Sequence, residues 1–281
     1  MKARQLVNGK GPLIMGILNV TPDSFSDGGC YASPGPAIKH ALAMVKEGAD
    51  LIDVGGESTR PGSERVPGFE QRRRVVPVIQ GLRSVLPDEV AISIDTTLRE
   101  VAEAALDAGA DMINDISAGR DDASMLALAA QRQVPICLMH MQGTPTTMQR
   151  DPQYRDVVDE IRAFLLERAE AAIAAGIHRE NIIIDPGVGF GKTREHNLAL
   201  LKNLPRFVGS GYAVLLGASR KRFMGAICNK SQPSSLVGAT CASTALGVAA
   251  GVRIFRVHDV AMNRQAADVA RAIKQARCNE S

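Results

Sequence analysis

Eight short apolar runs recur along the 281 residues of the chain, separated by longer, more polar stretches. The runs are Leu13 to Leu18, Leu51 to Val54, Ala91 to Ile94, Met112 to Ile113, Val134 to Met139, Ile182 to Ile184, Ala213 to Leu216 and Ile254 to Val257. Such runs are typical of parallel strands that are buried on both faces.

The stretches between the runs have the i, i+3, i+4 apolar spacing of amphipathic helices. They are Ala37 to Glu47, Phe69 to Val85, Leu98 to Ala108, Ser124 to Gln131, Asp156 to Ala175 and Ala261 to Ala276. Gly48, Gly109 and Gly176 follow three of them, as C′ glycines do. Eight strands alternating with helices predict an α/β fold, a closed TIM (β/α)8 barrel, with an open doubly wound sheet as the alternative.

We expect a single domain over residues 1–281, with its core at about residues 13–276, because no linker or low-complexity tract interrupts the alternation. The net charge of +3 is too weak to indicate a nucleic acid as partner, although a local positive patch could receive a small anion. No run approaches the roughly 20 apolar residues of a membrane span, and the N-terminus lacks the apolar segment of a signal peptide. We therefore expect neither membrane insertion nor export.

The five cysteines are odd in number, scattered and without a CxxC pair. They are Cys30, Cys137, Cys228, Cys241 and Cys278. This pattern argues against a disulfide framework and against a zinc site. A reducing, cytoplasmic location is expected.

Polar residues follow every apolar run. They are Asn19, Asp53, Asp95, Asn114 with Asp115, His140, Asp185, the run Ser219 to Lys221, and Arg256 with His258. A lone Asp after a strand is more often a helix cap than a catalyst. In a parallel barrel, however, all strand ends converge on one face, so we predict a single mouth lined by carboxylates, amides and cations.

Some polar residues have structural explanations. Asp53 has two open interpretations, as a buried acceptor for loop N–H groups or as a ligand-binding group. Arg72 to Arg74 are expected on a solvated helix face, and His40, His178 and His196 are expected to be structural or surface residues.

The segment DPGVGFGKT, Asp185 to Thr193, ends like a phosphate-binding P-loop. The P-loop pattern GxxxxGK[ST] requires a glycine where Pro186 stands, so the spacing argues against nucleotide triphosphate binding. We interpret the segment as a Gly-rich loop that lets backbone approach a flat ligand, with Phe190 available to stack on it or to shape the pocket.

Eight motifs occur in order: NVTPDSFSDGG, GGESTRPG, SIDT, IND, LMHMQGTP, DPGVGFGKT, SRKRFMG and RVHDV. From Met15 to about Val260, their order and spacing resemble the dihydropteroate synthase family, the sulfonamide-target enzymes of folate biosynthesis. The resemblance implies a TIM barrel that uses Mg²⁺ and forms a homodimer through its outer helices. It also implies condensation of 6-hydroxymethyl-7,8-dihydropterin diphosphate with 4-aminobenzoate, which gives 7,8-dihydropteroate and pyrophosphate.

The resemblance also implies roles for individual residues. Asn19 would coordinate Mg²⁺ beside the diphosphate, and Arg256 and His258 would bind the diphosphate. Asp95, Asn114 and Asp185 would hydrogen-bond the pterin edge, and Lys221 would contact the pterin carbonyl. Thr59 would lie in a mobile loop over the diphosphate end. The aminobenzoate site would be shaped by two mobile loops that carry Phe25, Ser26, Asp27, Arg60 and Pro61.

The implied reaction begins with loss of pyrophosphate, which leaves a resonance-stabilised pterin cation that the weakly nucleophilic arylamine attacks. Asp27 and Asp95 would stabilise that cation, and we count them with Lys221 as the catalytic residues. The segments Asp23 to Tyr31 and Glu57 to Pro67 are long and rich in Gly, Pro and short polar residues, which indicates lids that exclude water.

Three alternative functions are open. A methyltetrahydrofolate-binding methyltransferase barrel would share the Asp and Asn residues of the pterin edge, but it needs no diphosphate site. A non-catalytic pterin carrier could lose Asn19, Asp27 or Arg256, and all three are present. An aldolase-type barrel usually needs a Schiff-base lysine on a strand, whereas Lys221 is expected in a turn.

Overall fold

The computed structural model describes residues 6–7, 9–21, 34–58, 62–63 and 65–276. Its strands are β1 (Leu13–Asn19), β2 (Leu51–Gly55), β3 (Ala91–Asp95), β4 (Met112–Asp115), β5 (Ile136–Met139), β6 (Ile182–Asp185), β7 (Ala213–Leu216) and β8 (Ile254–Val257). They form a closed barrel in chain order, and β8 pairs in parallel with β1. The predicted barrel is confirmed, and the doubly wound alternative is wrong.

Helices connect the strands around the outside of the barrel. They are α1 (Pro34–Lys46), α2 (Gly68–Val85), α3 (Arg99–Asp107), α4 (Ser124–Arg132), α5 (Val157–Ala174), α6 (Arg194–Lys202), α7 (Leu204–Val208), α8 (Arg222–Cys228), α9 (Val237–Ala250) and α10 (Val260–Gln275). The six predicted helices all form. The structure adds α6, α7 and α8, which are short and have weak sequence periodicity, and the Ala-rich α9.

The glycines after α1, α3 and α5 adopt left-handed backbone conformations. The φ angles are 101° at Gly48, 111° at Gly109 and 99° at Gly176. A residue with a Cβ is strained in this region, so glycine ends each helix at low cost and turns the chain toward the next strand. The predicted helix ends are confirmed.

A layer of apolar side chains, called the floor below, fills the barrel near the starts of the strands, and every strand contributes to it. The layer consists of Leu13, Met15, Leu51, Ala91, Met112, Cys137, Ile183, Leu215 and Ile254, with Leu6 packed against them. A second and larger apolar cluster lies between the barrel and the helices. This floor separates the strand starts from the strand ends.

The next inward-facing layer is largely polar. Side chains alternate faces along a strand, so the residue two positions after each member of the floor also points inward. Counted this way, the second layer contains Ile17, Asp53, Ser93, Asn114, Met139, Asp185, Gly217 and Arg256. The change from an apolar floor to a polar layer places carboxylates, an amide and a guanidinium at the mouth.

The helices of the described residues include none that is long and apolar enough to cross a membrane.

Gly247 and Gly238, both in α9, give a matched test of packing between the barrel and its helices. A Cβ added at Gly247 would lie 2.5 Å from Cε1 of the buried Phe255, whereas a Cβ at Gly238 would meet nothing within 4 Å. We expect Gly247→Ala to lower the free energy of unfolding by about 1–3 kcal/mol, because the buried Phe255 ring must shift to admit the methyl group.

Gly238→Ala is the control and should leave stability unchanged or slightly higher, because alanine favours helix. Thermal and guanidinium unfolding of both variants measure the effect. Equal stability of the two variants would contradict the packing described for Phe255.

Candidate active site

The guanidinium of Arg256, on β8, lies between two buried carboxylates at the mouth of the barrel. Its Nε is 2.6 Å from Oδ2 of Asp53 on β2, and its second terminal nitrogen is 2.7 Å from Oδ2 of Asp95 on β3. Burial lowers the pKa of Arg256, but the attraction of Asp53 and Asp95 outweighs burial and raises it. Arg256 is therefore a permanent cation that joins three strands.

Asp53 also binds the side chain of a second residue. Its Oδ2 accepts a hydrogen bond of 3.2 Å from the side-chain amide of Asn114, and its side chain is completely buried. Oδ1 of Asp53 has no hydrogen-bond partner among the described residues. The interpretation of Asp53 as an acceptor for loop N–H groups is therefore wrong, because its carboxylate holds the side chains of Arg256 and Asn114 instead.

Two carboxyl groups at the mouth have raised pKa values. Burial raises the pKa of Asp95 to about 7, against the lowering effect of Arg256 and with a further rise from Asp53. Burial also raises the pKa of Asp185 to about 6, although its Oδ1 accepts a 2.7 Å hydrogen bond from the N–H of Gly187. Groups that change charge near neutral pH and face a cleft are typical of binding and catalytic sites.

Lys221 supplies a second cation beside Asp185. Its ammonium nitrogen lies 4.0 Å from the centre of the Phe190 ring, within the range of a cation–π contact. Burial, then repulsion from Arg256, lowers the pKa of Lys221 to about 8. Lys221 lies in the loop that precedes α8 and not on a strand, so its position differs from that of a strand-borne Schiff-base lysine.

A strained turn presents Lys221. Arg220 has φ +56°, which is uncommon for a residue with a side chain. Its guanidinium forms a bidentate ion pair with Asp259, at 2.9 and 2.5 Å, and its N–H donates to the hydroxyl of Thr240. These contacts hold the backbone in its strained form and join the loop after β7 to the loop after β8.

His258 lies in the same pair of loops. Its ring Nδ1 is 3.0 Å from Oγ of Ser219, and its backbone N–H donates to the same oxygen at 3.2 Å. Ser219 therefore fixes both the ring and the backbone of His258. The imidazole is placed near the end of β8, two residues beyond Arg256.

Asn19, at the end of β1, pairs in register with Gly55 of β2. A Cβ on Gly55 would lie 3.8 Å from Oδ1 of Asn19 and 3.5 Å from Cβ of Asp95, so this glycine leaves the mouth open between the two side chains. Across the described residues, no cluster of three or more His, Cys, Asp or Glu could hold a metal ion. The amide oxygen of Asn19 is nevertheless a donor of the kind that Mg²⁺ accepts, because the ion takes oxygen ligands and keeps several waters.

Six of the predicted site residues lie outside the described residues. They are Phe25, Ser26, Asp27, Thr59, Arg60 and Pro61. Their assignments stay predictions, as do both lids. In the described part of the second lid, Glu57 accepts hydrogen bonds from the N–H of Val66 and from the side chain of Gln71, which closes the base of that loop.

Other polar residues from the sequence have structural roles. Asp115 accepts bonds from the N–H and hydroxyl of Ser117 and from the N–H of Gly119, so it caps a turn. His196 completes a capping box with Thr193 at the start of α6. The prediction of a solvated arginine face is wrong for Arg74, because its partly buried guanidinium donates to the carbonyl of Gly56.

Lys192 is the lysine of the GKT sequence, and it is buried beneath the loop after β6. Its ammonium donates to the carbonyl of Phe190 at 2.8 Å and contacts Nδ1 of His140 at 3.1 Å. A buried lysine is not available to cradle a phosphate, so the structure agrees with rejection of the P-loop. Sequence reasoning missed this role; the lysine at the end of a loop rich in glycine is the signal that could have drawn attention to it.

Comparisons with known proteins agree on one family. Residues 15–258 match the model of a pterin binding enzyme. A dihydropteroate synthase from Synechocystis is 48% identical over 265 residues, which cover 94% of this chain and 91% of that protein. The structure of a Xanthomonas albilineans dihydropteroate synthase with 4-aminobenzoic acid matches with a TM-score of 0.89 and 44% sequence identity. The structure of a Yersinia pestis dihydropteroate synthase with a sulfonamide drug matches with a TM-score of 0.88 and 41% identity. Each match covers 95% of both chains.

Asp53→Asn tests the charge coupling at the mouth. Removal of the Asp53 charge takes away a like charge near Asp95 and leaves Arg256 to act on Asp95 alone. Both effects favour the ionised carboxyl, so the pKa of Asp95 should fall below its value of about 7. Carbon-13 NMR titration of the aspartate carboxyl groups measures this pKa.

Asp159→Asn is the control, because Asp159 is exposed and pairs with Arg206 rather than with a group of the mouth. It should leave the pKa of Asp95 unchanged. An unchanged or raised pKa of Asp95 in Asp53→Asn would show that the carboxylates are not coupled as described.

Proposed function

We propose that this chain, which belongs to the dihydropteroate synthase family of pterin-binding enzymes, joins 6-hydroxymethyl-7,8-dihydropterin diphosphate to 4-aminobenzoate. The products are 7,8-dihydropteroate and pyrophosphate, and the enzyme is a transferase of folate biosynthesis. The relatives with bound 4-aminobenzoic acid and a sulfonamide drug support the same aromatic ligands for this chain.

The observation that carries this proposal is the group of Asp95, Asn114, Asp185 and Lys221 around one buried mouth. A pterin edge presents adjacent N–H donors and a carbonyl acceptor. Carboxylates and an amide can accept from the donors, and an ammonium can donate to the carbonyl. Phe190 lies next to Lys221, where it can pack against the flat ring.

Arg256 and His258 form the proposed diphosphate end of the site. The guanidinium and imidazole can bind the phosphate oxygens and stabilise the charge that grows on pyrophosphate as it leaves. Asn19 would hold Mg²⁺ there, and the ion would neutralise part of the same charge when bound. This end distinguishes a synthase from a methyltetrahydrofolate-binding barrel, which needs no diphosphate site.

We place loss of pyrophosphate before attack by the amine. The positive charge that develops on the pterin lies close to Asp95, and we assign Asp27 to the same role on the first lid. Carboxylates held near a developing cation lower the barrier because they need no reorganisation. Positional exchange of oxygen-18 in recovered diphosphate substrate, without 4-aminobenzoate, measures reversible ionisation.

The function is tested by a coupled pyrophosphate-release assay with both substrates. We expect release that depends on both substrates and on Mg²⁺ and is abolished by EDTA. Asn19→Ala should raise the Mg²⁺ concentration for half-maximal activity by about tenfold, since it removes the proposed oxygen ligand. Folded protein that releases no pyrophosphate with or without Mg²⁺ would contradict the proposal.

The same assay has an expected pH profile. The value of kcat/KM for the pterin substrate should rise as Asp185 and Asp95 lose their protons at about pH 6 and 7, because the ionised carboxylates accept from the pterin. It should fall above about pH 8, where Lys221 loses the proton that it donates.

Lys221→Arg keeps the cation at high pH and should remove the falling limb. The matched control is Lys202→Arg at an exposed position of α6, which should leave the profile unchanged. A falling limb that survives in Lys221→Arg would show that another group is responsible.

We propose that α9 and α10 form the face of a homodimer. Apolar side chains are exposed there at Leu246, Met262, Val269 and Ile273, and the last three repeat at helical spacing. Exposed apolar side chains that share a helix face are typical of an interaction surface. The free thiols of Cys137, Cys228 and Cys241 support a reducing, cytoplasmic setting.

A Val269→Glu, Ile273→Glu double variant should give monomers in light scattering after size exclusion, because it places two charges in the apolar face. Phe69→Glu is the control, since Phe69 is equally exposed on α2. A dimer that persists in the double variant would contradict this interface.

A further inference from the structure

Lys192 is a buried lysine that the proposed reaction does not use. Lys192 is only 3% exposed. Among the described residues, no carboxylate lies within salt-bridge distance of its side-chain nitrogen. Its ammonium instead faces three acceptors: the carbonyl of Phe190 at 2.8 Å, Nδ1 of His140 at 3.1 Å and the carbonyl of His140 at 3.3 Å. Burial of a lysine is unfavourable, so its retention in this position calls for a role.

The acceptors belong to two different loops at the mouth. His140 begins the loop after β5, and Phe190 lies in the loop after β6. A lysine ammonium has three donors, and here each has an acceptor nearby. Burial, reinforced by Lys192, lowers the pKa of His140 to about 2. When Lys192 donates to Nδ1, the neutral imidazole carries its proton on Nε2. His140 is therefore a neutral acceptor.

Glycines allow these two loops to touch. A Cβ on Gly187 would lie 1.9 Å from the carbonyl oxygen of His140, and one on Gly191 would lie 2.6 Å from the carbonyl oxygen of Gln142. Both glycines have positive φ. The two loop backbones therefore pack closely at these glycines, and the side-chain nitrogen of Lys192 donates to a carbonyl of each loop.

Three successive carbonyls of the loop after β6 are held by side chains. Gln149 donates to Gly189, Lys192 donates to Phe190, and Tyr154 donates to Gly191. Lys192 is the amine among the three donors, although burial lowers its pKa well below the usual lysine value. Its contact fixes the residue whose ring reaches the site. The ring of Phe190 lies 4.0 Å from the ammonium of Lys221.

We propose that Lys192 is a positioning residue that clamps the loop after β6 to the loop after β5 and so holds the Phe190 ring against Lys221 for binding of the pterin ring. The lysine acts through Phe190 and does not touch the substrate. This role rests on the proposed function for the identity of the ligand. The clamp itself rests on the contacts among Lys192, His140 and Phe190.

A double-mutant cycle tests whether Lys192 acts through Phe190. Lys192→Met keeps a flexible side chain that lacks only the terminal nitrogen position, and it removes the hydrogen-bond donors. We expect it to raise the Kd of the pterin diphosphate by about tenfold or more, because a displaced Phe190 ring would no longer pack against the pterin ring. The Kd is measured by calorimetry. In a Phe190→Ala background, the same change should alter that Kd by less than about twofold.

Effects that add in the double variant would overturn the proposal, as would an unchanged Kd in Lys192→Met. Tyr154→Phe is the matched control, because it removes a neutral hydrogen bond to the adjacent carbonyl of Gly191 and should change the Kd much less. If Lys192→Met fails to fold, Lys192→Gln replaces it in the cycle, since its shorter, uncharged side chain should weaken the contacts to both loops.

Hydrogen exchange separates failure of this proposal from failure of the function. Exchange of the amides from Gly187 to Gly191 is measured without ligand, and Lys192→Met should speed it while Lys202→Met should not. If the unchanged chain does not bind pterin diphosphate, the proposed function fails, and the exchange rates still decide the clamp. Unchanged exchange in Lys192→Met would overturn the clamp even if the pterin binds.

Discussion

The contact of Arg256 with Asp53 and Asp95 is the interaction on which the arrangement of the site depends. An ionised carboxylate costs several kcal/mol to bury unless a cation and hydrogen bonds compensate it. Arg256 compensates two carboxylates at once, at 2.6 and 2.7 Å, and Asn114 adds a hydrogen bond to the first. Burial raises the pKa of Asp95 to about 7, because the opposing effect of one cation shared with Asp53 does not cancel it.

The barrel explains why this charged layer can exist inside a protein. The apolar floor below it consists of side chains from all eight strands, and the polar layer begins two residues further along them. Asp53, Asp95 and Asp185 then face Arg256 and Lys221, with Lys192 buried behind Phe190. The layer is nearly balanced in charge, and its open side is the direction from which a ligand with its own donors and phosphates would enter.

Much of this arrangement follows from sequence patterns. Apolar runs predicted all eight strands, and the polar residues after them converge on one mouth, since parallel strand ends share a face. Alternation along β2 could also have shown that Asp53 points inward, because it follows the floor residue Leu51 by two positions. Its binding of Arg256 could not be read in this way, since the two residues are 203 positions apart.

The short helices and the role of Lys192 were harder to foresee. Residues of α8 form only two turns, so their periodicity is too brief to separate from a loop. Lys192 follows a glycine and precedes a threonine, as the lysine of a P-loop does, but the spacing argued against that assignment and left the lysine without a role. Its burial depends on His140 in a loop that is distant in sequence, and local spacing carries no information about that contact.

The central claim is that the ends of the eight strands form a single site for a pterin diphosphate. The most direct measurement is a crystal structure of the chain with that substrate and Mg²⁺, without 4-aminobenzoate. The account predicts the pterin edge on Asp95, Asn114 and Asp185, with the diphosphate at Arg256 and His258. A pterin bound elsewhere, or a diphosphate that leaves both Arg256 and His258 without contact, would contradict it.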